Sequence, residues 1–183
     1  MSTRILGIAG SLRRGSFNRA ALRAATQVVP ADVSLEVAEL DALPLFNQDH
    51  ESPLPAPVET LKAAIRTADA VLLVTPEYNY SVSGVLKNAI DWASRPHGQS
   101  AWEAKPCAIM GASPGLLGTA RAQYHLRQTC LSLNMFVLNQ PEVMISRAAE
   151  KFDAQGELTD AKTREKIAQL LQALVTWTAQ LRK

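Results

Sequence analysis

The residues best suited to bind a charged ligand lie in one short segment, Gly10-Ser-Leu-Arg-Arg-Gly-Ser-Phe-Asn18, called here the phosphate loop. Its two glycines let a ligand approach the backbone closely. Ser11, Ser16 and Asn18 offer neutral donors, and Arg13 or Arg14 offers a guanidinium that can bond an anion bidentately. A predicted helix follows at once, and helix N-termini present free N–H groups. These features together favour a site for a phosphate monoester.

Two other nucleotide-binding motifs can be compared with this loop. The spacing of Gly10 and Gly15 matches the start of a Walker A loop, but Ser16-Phe17 stands where that motif needs Lys followed by Ser or Thr. The dinucleotide fingerprint G-x-G-x-x-G is weak as well, because Gly7 and Gly10 are three positions apart. A plain tight turn stays open as an alternative, so the loop needs support from elsewhere in the chain.

Two further polar segments carry groups suited to a flat ligand. The ring loop, Pro76-Glu-Tyr-Asn-Tyr-Ser81, offers backbone amides, a carboxamide and two aromatic faces. The third loop, Ser113-Pro-Gly-Leu-Leu-Gly118, can pass its backbone beside the same ring. Each segment taken alone could equally be a surface loop or an ordinary turn. Combined with the phosphate loop, they predict a ligand in which a phosphate is attached to a planar ring.

Apolar runs place these loops on a scaffold of strands. Continuous apolar runs are typical of strands covered on both faces, and the run from Ala70 to Val74 is therefore expected at the centre of the sheet. Val33, Leu35 and Val37 alternate with polar residues, which predicts a strand near the sheet edge. The five predicted strands are Ile5–Ala9, Val33–Leu40, Ala70–Val74, Cys107–Met110 and, as the last strand, Met135–Leu138.

Helical periodicity fills the segments between the strands, as in the stripe of Leu126, Cys130 and Leu133. Because strand and helix alternate throughout, the sequence predicts an α/β domain over residues 1–183, with a parallel five-stranded sheet and helices on both faces. Ligands of such sheets bind at the carboxyl ends of the strands, where the connection direction reverses. The phosphate, ring and third loops all follow strands and are expected to meet there.

The composition and charge of the chain argue against nucleic acid and membranes as partners. Lysine and arginine number 19 and aspartate and glutamate number 17, with no basic tail or stripe, so nucleic acid is not an expected partner. The chain carries no long apolar run and no signal peptide, which predicts a cytoplasmic protein without a membrane partner. Cys107 and Cys130 form no C-x-x-C motif and are predicted to be buried thiols.

Four segments, in order along the chain, resemble one known family. They are Gly10–Asn18, Pro76–Ser81, Leu86-Lys-Asn-Ala-Ile-Asp-Trp92 and Ala120-Arg-Ala-Gln-Tyr-His-Leu-Arg127. They look like the NAD(P)H-dependent FMN reductases that include bacterial chromate and quinone reductases, and the resemblance covers nearly the whole chain. It implies a flavodoxin-like three-layer sandwich, bound FMN, and two-electron reduction of quinones or other electrophiles, such as chromate, azo and nitro compounds, by NADH or NADPH.

The resemblance also implies roles for individual residues. The residues expected to hold the FMN phosphate are Ser11, Arg13, Ser16, Phe17 and Asn18. Those expected along the isoalloxazine edge or the ribityl chain are Pro76, Glu77, Tyr78, Asn79, Ala112 and Ser113. The candidates for the substrate side, or for a network between subunits of a homodimer or homotetramer, are Tyr80, Arg121, Tyr124 and Glu142.

Several of these assignments have alternatives. Arg121 and Tyr124 lie about one helical turn apart, so they could equally form a local pair or a solvated face. Ser83 stands where the family pattern favours proline, and Ala112 stands where a hydroxyl residue is common, which puts the detail of both loops in question.

Hydride transfer through flavin N5 needs no protein nucleophile, and the open flavin face predicts ping-pong kinetics with a quinone-like acceptor. His50, His97 and His125 are far apart in sequence and indicate no metal site. Two other classes stay open. One is a flavodoxin-like electron carrier without an NAD(P)H site, and the other is a partner-binding module that keeps the fold without flavin.

Overall fold

The computed structural model describes residues 2–182, which form one parallel sheet between two layers of helices. Along the chain the strands and helices are β1 Thr3–Ala9, α1 Phe17–Thr26, β2 Val33–Ala38, α2 Ala56–Thr67, β3 Ala70–Val74, α3 Gly84–Ala93, β4 Pro106–Ala112, α4 Ala120–Ser132, β5 Phe136–Val137, β6 Val143–Ile145 and α5 Ala161–Leu181. The strand order is β2-β1-β3-β4-β5, and β6 also pairs with β4. This order is that of flavodoxin-like folds, and it confirms the predicted three-layer α/β architecture.

Alternate residues of each strand enter two separate hydrophobic cores. In β3, Leu72 and Val74 pack with α1 and α5, whereas Val71 and Leu73 pack with α2, α3 and α4. All five residues of β3 are buried, because both faces of this central strand are covered by helices. The predicted central position of β3 and the predicted edge position of β2 are therefore both confirmed.

The strand predicted over Met135–Leu138 is present but shorter, and the prediction that it is the last strand is wrong. β5 contains only Phe136 and Val137. A separate strand of three residues, Val143–Ile145, forms β6 later in the chain. β5 pairs with Pro106 and Cys107 at the start of β4, whereas β6 pairs with residues 110–112 at its end. The two short strands share the fifth position of the sheet, and a run of three apolar residues is too short to be recognised by periodicity.

No helix within residues 2–182 combines the length and the apolar character needed to cross a bilayer. Both cysteines are buried free thiols, as predicted, with Cys107 in β4 and Cys130 in α4. Burial, together with the neighbouring Cys130, raises the pKa of the Cys107 thiol well above its ordinary value. Cys107 therefore stays protonated at neutral pH and acts as a core residue.

Candidate active site

The phosphate loop is shaped by residues whose hydroxyl groups cap the loop and the helix after it. Ser16 is the N-cap of α1, and its Oγ accepts hydrogen bonds from the N–H groups of Asn18 and Arg19 at 3.2 and 3.3 Å. Ser11 Oγ accepts a long hydrogen bond from the Arg13 N–H at 3.4 Å. In both cases the oxygen is used as an acceptor, so each hydroxyl proton stays available to an anion.

Free donors surround these two hydroxyl groups. Within the described part of the chain, the backbone N–H groups of Leu12, Arg14 and Gly15 have no hydrogen-bond acceptor. The Arg13 side chain folds over the loop and donates one hydrogen bond to the Gly15 carbonyl at 3.3 Å, which leaves its other N–H groups free. This set of donors at a helix N-terminus fits a dianionic phosphate.

The Asn18 side chain, expected from the sequence to hold the phosphate, is hydrogen-bonded to the backbone of Ala112. Its side-chain amide donates to the Ala112 carbonyl at 2.9 Å, and its Oδ1 accepts from the Ala112 N–H at 2.9 Å. Asn18 is buried, and this reciprocal pair fastens the start of α1 to the end of β4. Asn18 thus joins the phosphate loop to the third loop, and one amide hydrogen remains for a ligand.

Ser83, which departs from the family pattern, holds the other end of the phosphate loop. Its hydroxyl donates to the Gly10 carbonyl at 2.6 Å and accepts from the Leu86 N–H at 3.2 Å, so that it caps α3. A Cβ added to Gly10 would lie 2.9 Å from Ser83 Oγ and 2.8 Å from Leu86 Cβ. Only glycine fits this close approach, and the sequence signal that Ser83 carries, a capping serine before α3, indicates the helix start but not the contact with Gly10.

The ring loop is held by a buried carboxylate from within the loop itself. Glu77, whose side chain is 8% exposed, forms an ion pair with Arg121, and the Arg121 Nε donates to Glu77 Oε1 at 2.5 Å. Glu77 Oε2 also accepts from the backbone N–H groups of Arg121 and Ala122 at 3.1 and 3.3 Å. Glu77 therefore caps the N-terminus of α4 as well as binding its arginine.

The same arginine supports the exposed tip of the ring loop. Its guanidinium carbon lies 3.6 Å from the centroid of the Tyr80 ring, which is cation–π geometry. Asn79 and Tyr80 both have left-handed backbone conformations, with φ of 49° and 68°. This conformation is unfavourable for tyrosine, so the contacts made by Arg121 and Glu77 hold the loop in a shape that it would not favour alone.

The remaining interface candidates lie apart from the phosphate loop. Arg121 contacts Glu77 and Tyr80 of its own chain, which are distant in sequence and are not the Tyr124 partner of the local pair that the sequence left open. Tyr124 is half exposed on α4, and Glu142 is partly exposed just before β6. No hydrogen bond or ion pair joins Tyr124 or Glu142 to Arg121 within residues 2–182.

The predicted cofactor residues line one cleft of about 370 Å³ at the carboxyl ends of β1, β3 and β4. The cleft is bounded by Pro114 and by every predicted cofactor residue except Asn79, namely Ser11, Arg13, Ser16, Phe17, Asn18, Pro76, Glu77, Tyr78, Ala112 and Ser113. Asn79 follows Tyr78 directly and is exposed at the edge of the ring loop. The three loops predicted to meet are therefore brought together, since residues of the phosphate loop, the ring loop and the third loop all line this cleft.

Comparison with known proteins agrees with this geometry. A family model described as NADPH-dependent FMN reductase matches residues 3–150. An NAD(P)H-dependent FMN reductase from Pseudomonas aeruginosa is 57% identical over 180 residues, which cover 98% of this chain and 97% of the relative. A 2-hydroxy-1,4-benzoquinone reductase from a Burkholderia species is 44% identical over 177 residues, with 97% of each chain covered.

A solved structure shows the same fold across the whole chain. FerB from Paracoccus denitrificans, a flavoenzyme NAD(P)H:(acceptor) oxidoreductase, superposes with a TM-score of 0.89 and 36% sequence identity, covering 97% of this chain and 98% of the other. The chain therefore belongs to the NADPH-dependent FMN reductase family, a family of oxidoreductases with FMN and NAD(P)H as cofactors, as its sequence predicts.

Proposed function

We propose that the protein binds FMN in the cleft and uses NADH or NADPH to reduce quinones and other electrophiles by two electrons. The observation that carries this proposal is that phosphate-binding groups and the ring loop line a single cleft at the carboxyl ends of β1, β3 and β4. The names of the 57% and 44% identical relatives, reductases of FMN and of a benzoquinone, support the same activity.

The phosphate end of the cofactor is held by neutral donors and one cation. Ser11 and Ser16 would donate their hydroxyl protons, and the N–H groups of Arg14 and Gly15, which have no acceptor within residues 2–182, would add further hydrogen bonds. Arg13 adds charge-assisted hydrogen bonds, which are roughly twice as strong as neutral ones. Hydrogen bonds of Asn18 and Ser83 within the protein fix the two ends of the phosphate loop.

The ring end is oriented by the ring loop and the third loop. Pro76, Glu77 and Tyr78 of the ring loop line the cleft together with Ala112 and Ser113, and these residues would hold the isoalloxazine ring. When bound, FMN supplies a ring that accepts a hydride from NAD(P)H and passes two electrons to the acceptor. The sum of the two half-reactions converts NAD(P)H, a proton and a quinone into NAD(P)+ and a hydroquinone, and the residues of the chain bind and orient without forming a covalent bond.

Donor and acceptor use the open side of the cleft in turn. Tyr78 and Pro114 at the mouth of the cleft are exposed, so the ring side faces solvent. An open site selects weakly by shape, and chromate, azo and nitro compounds are therefore proposed as acceptors alongside quinones. Initial-rate measurements with NADPH and a quinone should give parallel double-reciprocal lines, whereas intersecting lines would show that both substrates bind at once.

We further propose that the chain folds as one domain over residues 1–183, acts in the cytoplasm and assembles as a homodimer or homotetramer. Large apolar side chains on the ring loop, the third loop and α4 are exposed, and a partner subunit would cover them. They are Tyr78, Tyr80, Leu116, Leu117 and Tyr124. The two buried free thiols suit a reducing compartment. Light scattering that gives the mass of a single chain would contradict the assembly.

Binding of FMN and reaction with NAD(P)H separate this function from its alternatives. Purified protein should take up FMN, and anaerobic NADPH should bleach its yellow colour rapidly. A flavoprotein that NADPH and NADH leave unbleached would instead be an electron carrier, and a chain that takes up no FMN would be a partner-binding module.

Arg13→Ala tests the phosphate site directly. The loss of its charge-assisted hydrogen bonds should weaken FMN binding by about 1.5–3 kcal/mol. Arg14→Ala is the matched control, since Arg14 is an equally exposed neighbour that does not line the cleft. An equal loss in both variants would show that general charge, and not the Arg13 side chain, holds the phosphate.

A further inference from the structure

A second groove adjoins the cofactor cleft on the side of the edge strand β2. It has a volume of about 610 Å³, and the residues that matter here are Ser11, Leu12, Arg19, Arg23, Val37 and Glu39. We infer that this groove, called here the β2 groove, binds the adenosine-phosphate end of the NAD(P)H donor, and that Arg19 and Glu39 read the 2′ position of its ribose. This inference rests on the proposed function and assigns a subsite to one of its two substrates.

The position of the groove suits the tail of a dinucleotide. Ser11 lines both the cofactor cleft and the β2 groove, so the two are continuous across the end of β1. The ring loop follows β3, and the far wall of the groove is the end of β2, two strands away in the order β2-β1-β3. Neighbouring strands are about 4.8 Å apart, which gives a separation of roughly 10 Å. A nicotinamide placed at the ring loop can therefore extend its other end into the groove.

The charge around the groove exceeds what one FMN phosphate needs. The first 31 residues contain five arginines and no acidic residue. Four of these arginines lie on the phosphate loop or α1, at positions 13, 14, 19 and 23, and of these four only Arg19 has an ion-pair partner within residues 2–182. Because Arg19 and Arg23 line the β2 groove rather than the cofactor cleft, they are placed for further phosphate groups.

Two exposed apolar side chains provide a surface for a base. Leu12 and Val37 are each 45% exposed, and both line the groove. An adenine ring that packs against them would remove apolar surface from water on both molecules, which is favourable. The groove thus offers an apolar surface and a charged pair, as an adenosine phosphate requires.

Arg19 and Glu39 form an ion pair at 3.0 Å, with side-chain exposures of 35% and 57%. Such exposed pairs contribute only about 0–1 kcal/mol, so a ligand can replace either partner at little cost. A 2′-phosphate would take Arg19 from Glu39 and bond the guanidinium bidentately. The 2′,3′-diol of NADH would instead donate hydrogen bonds to the Glu39 carboxylate, as acidic residues do at ribose sites in other dinucleotide folds.

The test measures the affinity of each donor in the reductive half-reaction, by anaerobic stopped-flow bleaching of FMN-loaded enzyme. Arg19→Ala should raise the Kd of NADPH about tenfold, which corresponds to the loss of one charge-assisted bond, and change the Kd of NADH less than about twofold. Glu39→Gln should weaken NADH binding and leave NADPH binding unchanged or tighter. FMN affinity and the rate of reoxidation by a quinone should stay at wild-type values in both variants.

A rival basic groove supplies the control variant. Lys151, Lys162 and Lys166 line a groove beside β6 at the start of α5, and they could also attract a phosphate. Lys166→Ala should leave both donors unaffected. A loss of NADPH affinity in Lys166→Ala that is absent from Arg19→Ala would overturn the inference, and so would an Arg19→Ala variant with unchanged NADPH binding. In these two cases the wild-type enzyme is still bleached, whereas a wild-type protein that NADPH fails to bleach contradicts the proposed function itself.

Discussion

The phosphate loop and the ring loop lie at the same edge of the sheet but are fixed in different ways. In the phosphate loop, Ser11, Ser16 and Asn18 are small, buried and hydrogen-bonded to backbone groups. In the ring loop, Tyr78 and Tyr80 are large and exposed, and the buried contact is made by Glu77 with an arginine 44 positions away. The first loop is built to enclose a small anion, whereas the second is an open platform held from beneath.

The largest expected effect comes from removing the support of the ring loop. Glu77→Ala leaves Arg121 without its partner and removes the cap of two N–H groups at the start of α4. We expect the free energy of unfolding to fall by about 3 kcal/mol in urea titrations, the lower end for buried pairs because Arg121 is partly exposed. Glu77→Gln keeps an acceptor and should lose clearly less. Equal losses in both variants would show that the charge, and not the cap, holds the loop.

The next effect concerns the link between the phosphate loop and the third loop. Asn18→Ala leaves the N–H and carbonyl groups of Ala112 without partners at a position that is 3% exposed. Two buried unpaired groups should cost about 2 kcal/mol of unfolding free energy, measured by thermal or urea denaturation. A loss of FMN affinity with unchanged stability would mean that Asn18 acts mainly on the ligand, and the contrast between the two loops would then be weaker.

Ser16→Asp separates the helix cap from the phosphate site. Aspartate is as good an N-cap as serine, so α1 should keep its stability within about 0.5 kcal/mol. Its negative charge would face the phosphate, and FMN affinity should fall about tenfold, or about 1.4 kcal/mol. Fluorescence titration of the apoprotein with FMN measures this change. Unchanged FMN affinity would indicate that Ser16 serves only as a cap.

Tyr78→Ala is expected to have the smallest effect on stability. Tyr78 is 49% exposed, and substitutions at exposed positions change the free energy of unfolding by about 0.5 kcal/mol or less. The same variant should bind FMN less tightly if the tyrosine lies against the ring, which titration of the apoprotein will report. A large loss of stability would show that the ring loop depends on its own aromatic side chains rather than on Glu77.

The features that could be predicted from the sequence are the local ones. Gly10, Ser16 and the helix that follows indicate the phosphate loop, because helix caps and tight turns depend on neighbouring residues. The same holds for β3, whose apolar run indicates a covered strand. The parallel sheet with helices on both faces follows from the alternation of strand and helix, and the structure confirms it.

The features that could not be predicted depend on partners far away in the chain. Nothing near Glu77 indicates that it binds Arg121, and nothing near Asn18 indicates that it binds the backbone of Ala112, 94 positions away. Ser83 could be recognised as a helix cap but not as the residue that holds the Gly10 carbonyl. Long-range contacts of this kind are set by the packing of the sheet, which periodicity describes only in outline.

The fifth position of the sheet is divided between β5 and β6, which pair with opposite ends of β4. The third loop is tied to β6 and the segment after it, because Ser113 N–H donates to Ile145 and Ser113 carbonyl accepts from Ala148. β5 is instead tied to the opposite end of β4, through Pro106 and Cys107. The N–H of Leu138 still donates to the Cys107 carbonyl, and residues 139–142 then span the two strands. Insertions and deletions can therefore accumulate in this span without shifting either register, so a lineage can lengthen this side of the molecule while its active-site loops keep their positions.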